Sequence, residues 1–110
     1  MQAGKLRHRI TLQRNVPRQD PHSGEMVIQW QDVDSVWAEV VPLSAREFVA
    51  ARAVQSEVVA RITIRYRADV TPAMRIIYRG DIYVIDGVLS DSGSGIKYLT
   101  LPVRKGVADE

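Results

Sequence analysis

Along most of this chain hydrophobic and polar residues alternate with a period of two, the mark of strands with one covered face. Leu6, Ile10 and Leu12 fall on one face with His8, while Arg7, Arg9, Thr11 and Gln13 fall on the other. Asn15 to Gly24 holds two prolines and a Ser-Gly pair and reads as a loop. Strand character resumes over Glu25–Val33 through Met26, Ile28 and Trp30. After Asp32 to Asp34, a further strand runs from Val36 to about Val41 and stops at Pro42. Val58–Arg67 alternates again, with Val58, Ala60, Ile62, Ile64 and Tyr66 on one face. Arg61, Thr63, Arg65 and Arg67 lie on the other face with Val59. Three like charges in such a row need acids, neighbouring subunits or phosphates beside them.

One stretch breaks the two-residue rhythm. Ser44-Ala-Arg-Glu47 fits a capping box, in which the hydroxyl and the carboxylate each satisfy an orphan amide. The alanine-rich run Ala45–Val54 that follows predicts a short helix. Its polar residues Arg46, Glu47, Arg52 and Gln55 share no single face, so it has no clean apolar stripe to bury. Such a segment either meets protein on both faces or stays mobile until a partner arrives.

The C-terminal half supplies the clearest turn. Arg75–Tyr78 and Ile82–Val88 flank Arg79-Gly80-Asp81, a hairpin in which Gly80 provides a positive φ. The Arg-Gly-Asp tripeptide suggests cell adhesion, but the turn accounts for it. Ser90–Gly95 reads as a flexible loop, and Ile96–Val103 as a last strand ending near Pro102. The pattern predicts a mainly β fold: a small antiparallel β-barrel of six to seven strands in one domain, 1–110. One short helix or mobile loop, about 42–57, is inserted after the third strand, and the tail frays from about 104 to 110.

Composition narrows the function classes. The 110 residues are 45% hydrophobic and 25% charged, ordinary for a folded domain. No apolar run approaches the roughly 20 residues of a membrane span, and Met1–Lys5 has no signal-peptide character, so no membrane partner is expected. With no cysteine there is neither a disulfide framework nor thiolate chemistry, which fits a reducing interior or a particle assembled there. The net charge is only +2, but the first 18 residues hold Lys5, Arg7, Arg9, Arg14 and Arg18 and no acid. Twelve of the fifteen basic residues are arginine, the side chain suited to bidentate anion contacts and to protein interfaces.

The parts of an active site do not assemble. His8 lies on the apolar face of a strand and reads as a packed or rim residue. His22 has only Asp20 near it in sequence, too few ligands for zinc. The serines at 90–94 form no nucleophile elbow, and Gly93-Ser-Gly95 precedes a strand where a phosphate cradle would precede a helix. Asp81 and Asp86 flank a hairpin, where aspartate is common for turn reasons. No catalytic residue, metal site or cofactor is expected. The aromatics Trp30, Trp37, Phe48, Tyr66, Tyr78, Tyr83 and Tyr98 suit a barrel core or a subunit interface better than a stacking platform for single strands.

The order of landmarks resembles a known family. Gly4-Lys5-Leu6-Arg7-His8-Arg9-Ile10-Thr11-Leu12-Gln13 is similar to the opening of the phage head–tail joining proteins, also called head-closure or stopper proteins. Val36-Trp37-Ala38-Glu39-Val40, Ser44-Ala-Arg-Glu47, Ile64-Arg65-Tyr66 and the Arg75–Ile85 hairpin follow in the same order and spacing, covering about 4–103. The resemblance implies a structural virion component of a tailed phage, prophage or gene transfer agent, built in the bacterial cytoplasm. It implies small β-barrels in a ring, typically dodecameric, between the portal–adaptor and the tail terminator or tail-completion protein. Such a ring retains packaged double-stranded DNA. A segment matching Pro42–Glu57 projects into the channel, which places Ser44, Arg46, Glu47, Phe48 and Arg52 at the stopper. Because that segment is largely apolar here, sealing by subunit-on-subunit packing fits it better than a grip on phosphate. From a different class comes a nucleic-acid-binding barrel that would use Lys5, Arg7, Arg9, Arg61, Arg65 and Arg67. As a connector subunit, the isolated chain is expected to be monomeric or weakly associated.

Overall fold

The computed structural model describes residues 5–90 and 97–107. Seven strands and one helix follow in the order β1 (His8–Gln19), β2 (Met26–Pro42), α1 (Ala45–Ala53), β3 (Val58–Arg65), β4 (Arg75–Tyr78), β5 (Asp81–Ile85), β6 (Leu89–Ser90) and β7 (Tyr98–Lys105). All pairings are antiparallel, in the order β3-β2-β1-β4-β5-β7, and β7 pairs back onto β3 so that the ring of hydrogen bonds closes. One edge of β7 is filled by β3, and β5 and β6 take successive stretches of the other. The mainly β, antiparallel expectation therefore holds.

Inside the ring, the alternation seen in the sequence becomes the core. Ile10 and Leu12 of β1, Ala38 of β2, and Ala60, Ile62 and Ile64 of β3 meet Ile76, Ile85, Leu99, Leu101 and Val103. Eight of the larger side chains, among them Ile62, Leu101 and Val103, are almost fully removed from water. Each contributes on the order of 1.5–3 kcal/mol by burial. Thr63, on the opposite face of β3, is also buried, with its hydroxyl facing that of Thr100 across the β3–β7 ladder.

Several boundaries depart from expectation. The strands expected at 25–33 and 36–41 are one strand of 17 residues, so α1 follows the second strand and not the third. Nothing in Asp32-Val33-Asp34 can reverse the chain. Instead the extra residue is absorbed as a bulge, where Leu12 faces Asp34 but Gln13 faces Asp32. The second departure is the expected loop from Asn15 to Gly24. There β1 runs on to Gln19, paired residue by residue with β2 as far as Met26. Pro17 is tolerated because the two strands form a ribbon beyond the ring, with an outer edge that needs no donor. Only a tight reversal remains, closed by Asp20 N–H to Glu25 O at 2.7 Å and Gly24 N–H to Asp20 O at 2.8 Å, with Gly24 at φ 75°. The molecule is drawn out accordingly, 49 Å along its longest axis against 31 and 24 Å.

The third departure is at the last strand, which passes through Pro102 and continues to Lys105. Arg104 and Lys105, expected in a frayed tail, are paired with Val84 and Tyr83. Pro102 accepts from Asp86 N–H at 2.8 Å on the edge shared by β5 and β6, and its missing donor falls in the gap between them. Of the Ser90–Gly95 loop, Ser90 belongs to β6 and 91–95 lie outside the described residues.

The expected hairpin forms from Arg75, but its second strand spans Asp81–Ile85 and not Ile82–Val88. Tyr78 pairs with Asp81 around a two-residue turn, with Arg79 at φ 52° and Gly80 at φ 80°. Both positive values belong to the turn type that matches the strand twist.

Candidate functional site

The α1 segment is held by its end caps and not by its faces. Ser44 Oγ accepts from Glu47 N–H at 3.2 Å while Glu47 Oε1 accepts from Ser44 N–H at 3.0 Å, the reciprocal capping box. No α1 residue is buried, and Phe48, Val49 and the C-cap Val54 are exposed. Side-chain ties run to the sheet at both ends of the helix. Arg61 on β3 donates to Glu47 Oε2 at 2.6 Å. That guanidinium, with the Ser44 amide and hydroxyl, holds the Glu47 carboxyl down to about 2. Arg52 stacks 4.3 Å over the Phe48 ring and donates to the carbonyls of Ser56 and Val58, closing the helix end onto the start of β3. Gln55, at φ 62°, turns the chain there. Arg46 is exposed.

The arginines expected on one face of β3 are separated. Arg61 lies within the strand and pairs with Glu47 beside α1, whereas Arg67 lies two residues past the strand end at Arg65. Arg67 donates to Asp34 at 2.6 Å and to both oxygens of Asp69 at 3.0 Å. These contacts hold both carboxyls below their ordinary range and raise the guanidinium. The acids demanded by the row of like charges are thus supplied from β2 and from the turn after β3. Lys5 and Arg7 are exposed, with Lys5 O accepting from Arg7 N–H at 3.1 Å.

Arg9 and Arg65 meet at a cleft that the sequence did not reveal. It measures about 300 Å³ and is lined by Leu6, Arg9, Ser35, Val36, Trp37, Arg65 and Arg67. Arg9 and Trp37 face each other across the β1–β2 ladder, with the guanidinium 5.0 Å from the ring centroid. The alternation assigns each residue to an outward face. It does not say that the ends of β1 and β3 flank the same stretch of β2.

The ribbon beyond the ring is a second surface absent from the sequence reading. Met26 and Ile28 fall on one face of it, 65% and 58% exposed, opposite Gln19 and Pro17. Continuous β pairing through 13–19 is masked in the sequence by Pro17 and by polar residues with no core to face.

Neither histidine gathers ligands. His8 Nδ1 lies 2.8 Å from the Tyr78 hydroxyl with the rings edge to face, a rim contact as expected. His22 N–H donates to Asp20 Oδ1 within the ribbon turn. No cluster of three or more metal-ligating side chains occurs among the described residues. Among the described residues no helix is long and apolar enough to cross a membrane.

Comparison with known proteins gives these surfaces a context. The model of the phage head completion protein family matches residues 1–106. A protein of Shigella flexneri 2a, known from a solution structure, superposes with a TM-score of 0.76 at 30% identity, covering 98% of this chain and 99% of its own. A chain in the virion of a native gene transfer agent particle gives a TM-score of 0.64 at 25% identity, over 93% of this chain and 96% of that one. No curated protein matches. With the family pattern spanning nearly all of the sequence and the same fold found inside a virion, the chain belongs to the phage head completion protein family.

Proposed function

We propose that this chain is a head-closure (stopper) subunit, a structural component of a phage, prophage or gene transfer agent particle. Copies form a ring between the portal–adaptor and the tail-side proteins, and the ring retains packaged DNA. The observation that carries the reading is α1, a capped helix with no buried residue, tied to the sheet through Glu47 and Arg61. A helix that buries nothing in its own subunit gains its packing from something else. In the ring, Phe48 and Val49 of neighbouring copies close the channel by apolar contact, with Ser44, Glu47 and Arg52 fixing the helix and Arg46 facing solvent or DNA. Assembly takes place in the bacterial cytoplasm, around a portal already loaded with DNA.

Electron microscopy of the protein mixed with its portal and adaptor tests this. The expected result is added ring density on the adaptor with a narrowed channel. Portal–adaptor particles indistinguishable with and without the protein would refute the reading.

A DNA-binding barrel is the weaker reading. It needs Arg61 and Arg67 on one free basic face, yet Arg61 is engaged by Glu47 and Arg67 by Asp34 and Asp69.

A further inference from the structure

We propose that the β1–β2 ribbon of one copy docks into the Trp37 cleft of the next, making the lateral contact from which the assembly is built. The inference rests on the reading of this chain as a ring subunit and names the surfaces that join.

The cleft is a receptor with two chemistries. Its floor is apolar, formed by Leu6, Val36 and Trp37, with Trp37 53% exposed. Its rim is cationic. Arg67 is occupied by Asp34 and Asp69, but Arg9 and Arg65 are exposed and neither forms an ion pair among the described residues. A tryptophan flanked by arginines is the composition of a protein-binding hot spot. Duplex DNA would engage the rim and leave the floor wet, so the occupant must bring apolar side chains together with carboxylate.

The ribbon end presents that combination. Met26, Ile28 and Pro17 lie on one face, exposed and without charge, and Asp20 and Glu25 stand at the reversal beside them. The two cations of the ribbon, Arg14 and Arg18, pair opposite Gln31 and Val27 on the other face. Acidic tip and cationic rim are complementary, as are projecting ribbon and concave cleft.

The ribbon cannot reach the cleft of its own chain. Gln19 lies ten residues along β1 from Arg9, about 33 Å at 3.3 Å per residue. A ribbon that fills the site therefore comes from another copy. Because ribbon and cleft are different surfaces, the contact is head-to-tail, the kind that propagates around a ring.

The chain has no cysteine, so engineered thiols report the contact cleanly. Full-length Met26→Cys and Ser35→Cys proteins are mixed at high concentration and oxidised. Met26→Cys with Asp86→Cys, an exposed site away from the cleft, serves as control. The expected result is a several-fold excess of the Met26–Ser35 linked dimer over control, and a ladder of linked copies when both substitutions sit in one chain. Adding Arg65→Glu is expected to lower the yield several-fold. Yields equal to control, a predominance of Met26–Met26 dimers, or indifference to Arg65→Glu would overturn the proposal. Repeating the oxidation on the portal–adaptor mixture separates the two readings. A ring without the linkage, or with the ribbon linked to another connector protein, removes this inference alone. Linked copies that leave the portal bare remove the head-closure reading and not the contact.

Discussion

The Arg75 guanidinium lies 4.2 Å above the Trp30 ring and donates to Gln13 Oε1 at 2.7 Å, joining the β4 wall to the root of the β1–β2 ribbon. Arg75 is only 9% exposed, and burial lowers its proton affinity. The three residues sit just past the bulge at Leu12/Gln13, where the ribbon leaves the ring. The contact therefore sets the direction in which the ribbon projects. Arg75→Ala is expected to cost about 2 kcal/mol of unfolding free energy, from a partly buried cation–π contact and a charge-assisted hydrogen bond. Arg75→Lys keeps the charge but loses the flat stacking and should recover only part. Urea unfolding of the three proteins checks both, and an unchanged midpoint for Arg75→Ala would show that the ribbon root is held by other contacts.

Cap and core should separate in measurement. Ser44→Ala removes the hydroxyl that accepts from Glu47 N–H and is expected to weaken α1 by about 1 kcal/mol. Because α1 buries no residue of its own, the urea midpoint should barely move. Hydrogen exchange should show 45–54 less protected than β3 in the parent and still less in the variant. Protection of α1 equal to that of β3 would argue against a segment that finds its packing only on assembly.

Two glycine-to-alanine substitutions should be destabilising for different reasons. At Gly106 an added Cβ would lie 2.9 Å from Ile82 Cγ2 and 3.1 Å from Val84 Cγ2, so the end of β7 must shift away from β5. A loss of about 1–3 kcal/mol is expected from such overpacking. At Gly80 nothing lies within 4 Å, and the cost of about 1 kcal/mol comes from φ at +80° alone. Gly80→Asn should restore most of that loss while Gly106→Asn should not, as thermal melts of the four variants would show.

Acid should loosen the molecule through carboxylates on its surface. Glu47, Asp34 and Asp69 all titrate below their unfolded values when folded, mainly through hydrogen bonds from Arg61 and Arg67. A depressed carboxyl stabilises the fold above its unfolded pKa, and that contribution disappears as pH falls through the folded value. The melting temperature should therefore be level from about pH 7 to 5 and fall below about pH 4, toward the Glu47 value of about 2. Asp34→Asn with Asp69→Asn should flatten part of the fall. A parent whose melting temperature does not change down to about pH 2 would contradict the linkage.

Much of this architecture is legible in local order. Ile10, Leu12, Ile62 and Ile64 declare their faces by alternation, and all four are buried. Ser44 and Glu47 announce a helix start that forms as written, and Arg79-Gly80 marks a turn that lies between Tyr78 and Asp81. Each of these signals acts within a few residues, through a dihedral preference or a side chain reaching its own backbone, so sequence alone determines them. The order of the same landmarks along the chain also carries the family.

What only the tertiary structure decided depends on partners far apart in sequence. Whether Asn15–Gln19 is loop or strand depends on β2 running unbroken past Asp32, because a ribbon gains its hydrogen bonds from its mate and not from its own composition. Whether Arg61, Arg65 and Arg67 form one basic face depends on which acids the ring brings near, and Glu47, Asp34 and Asp69 come from three different segments. The Trp37 cleft exists because the strand order sets β1 and β3 on either side of β2. Short-range sterics write the elements, and the long-range closure of the hydrogen-bonded ring writes the surfaces they present.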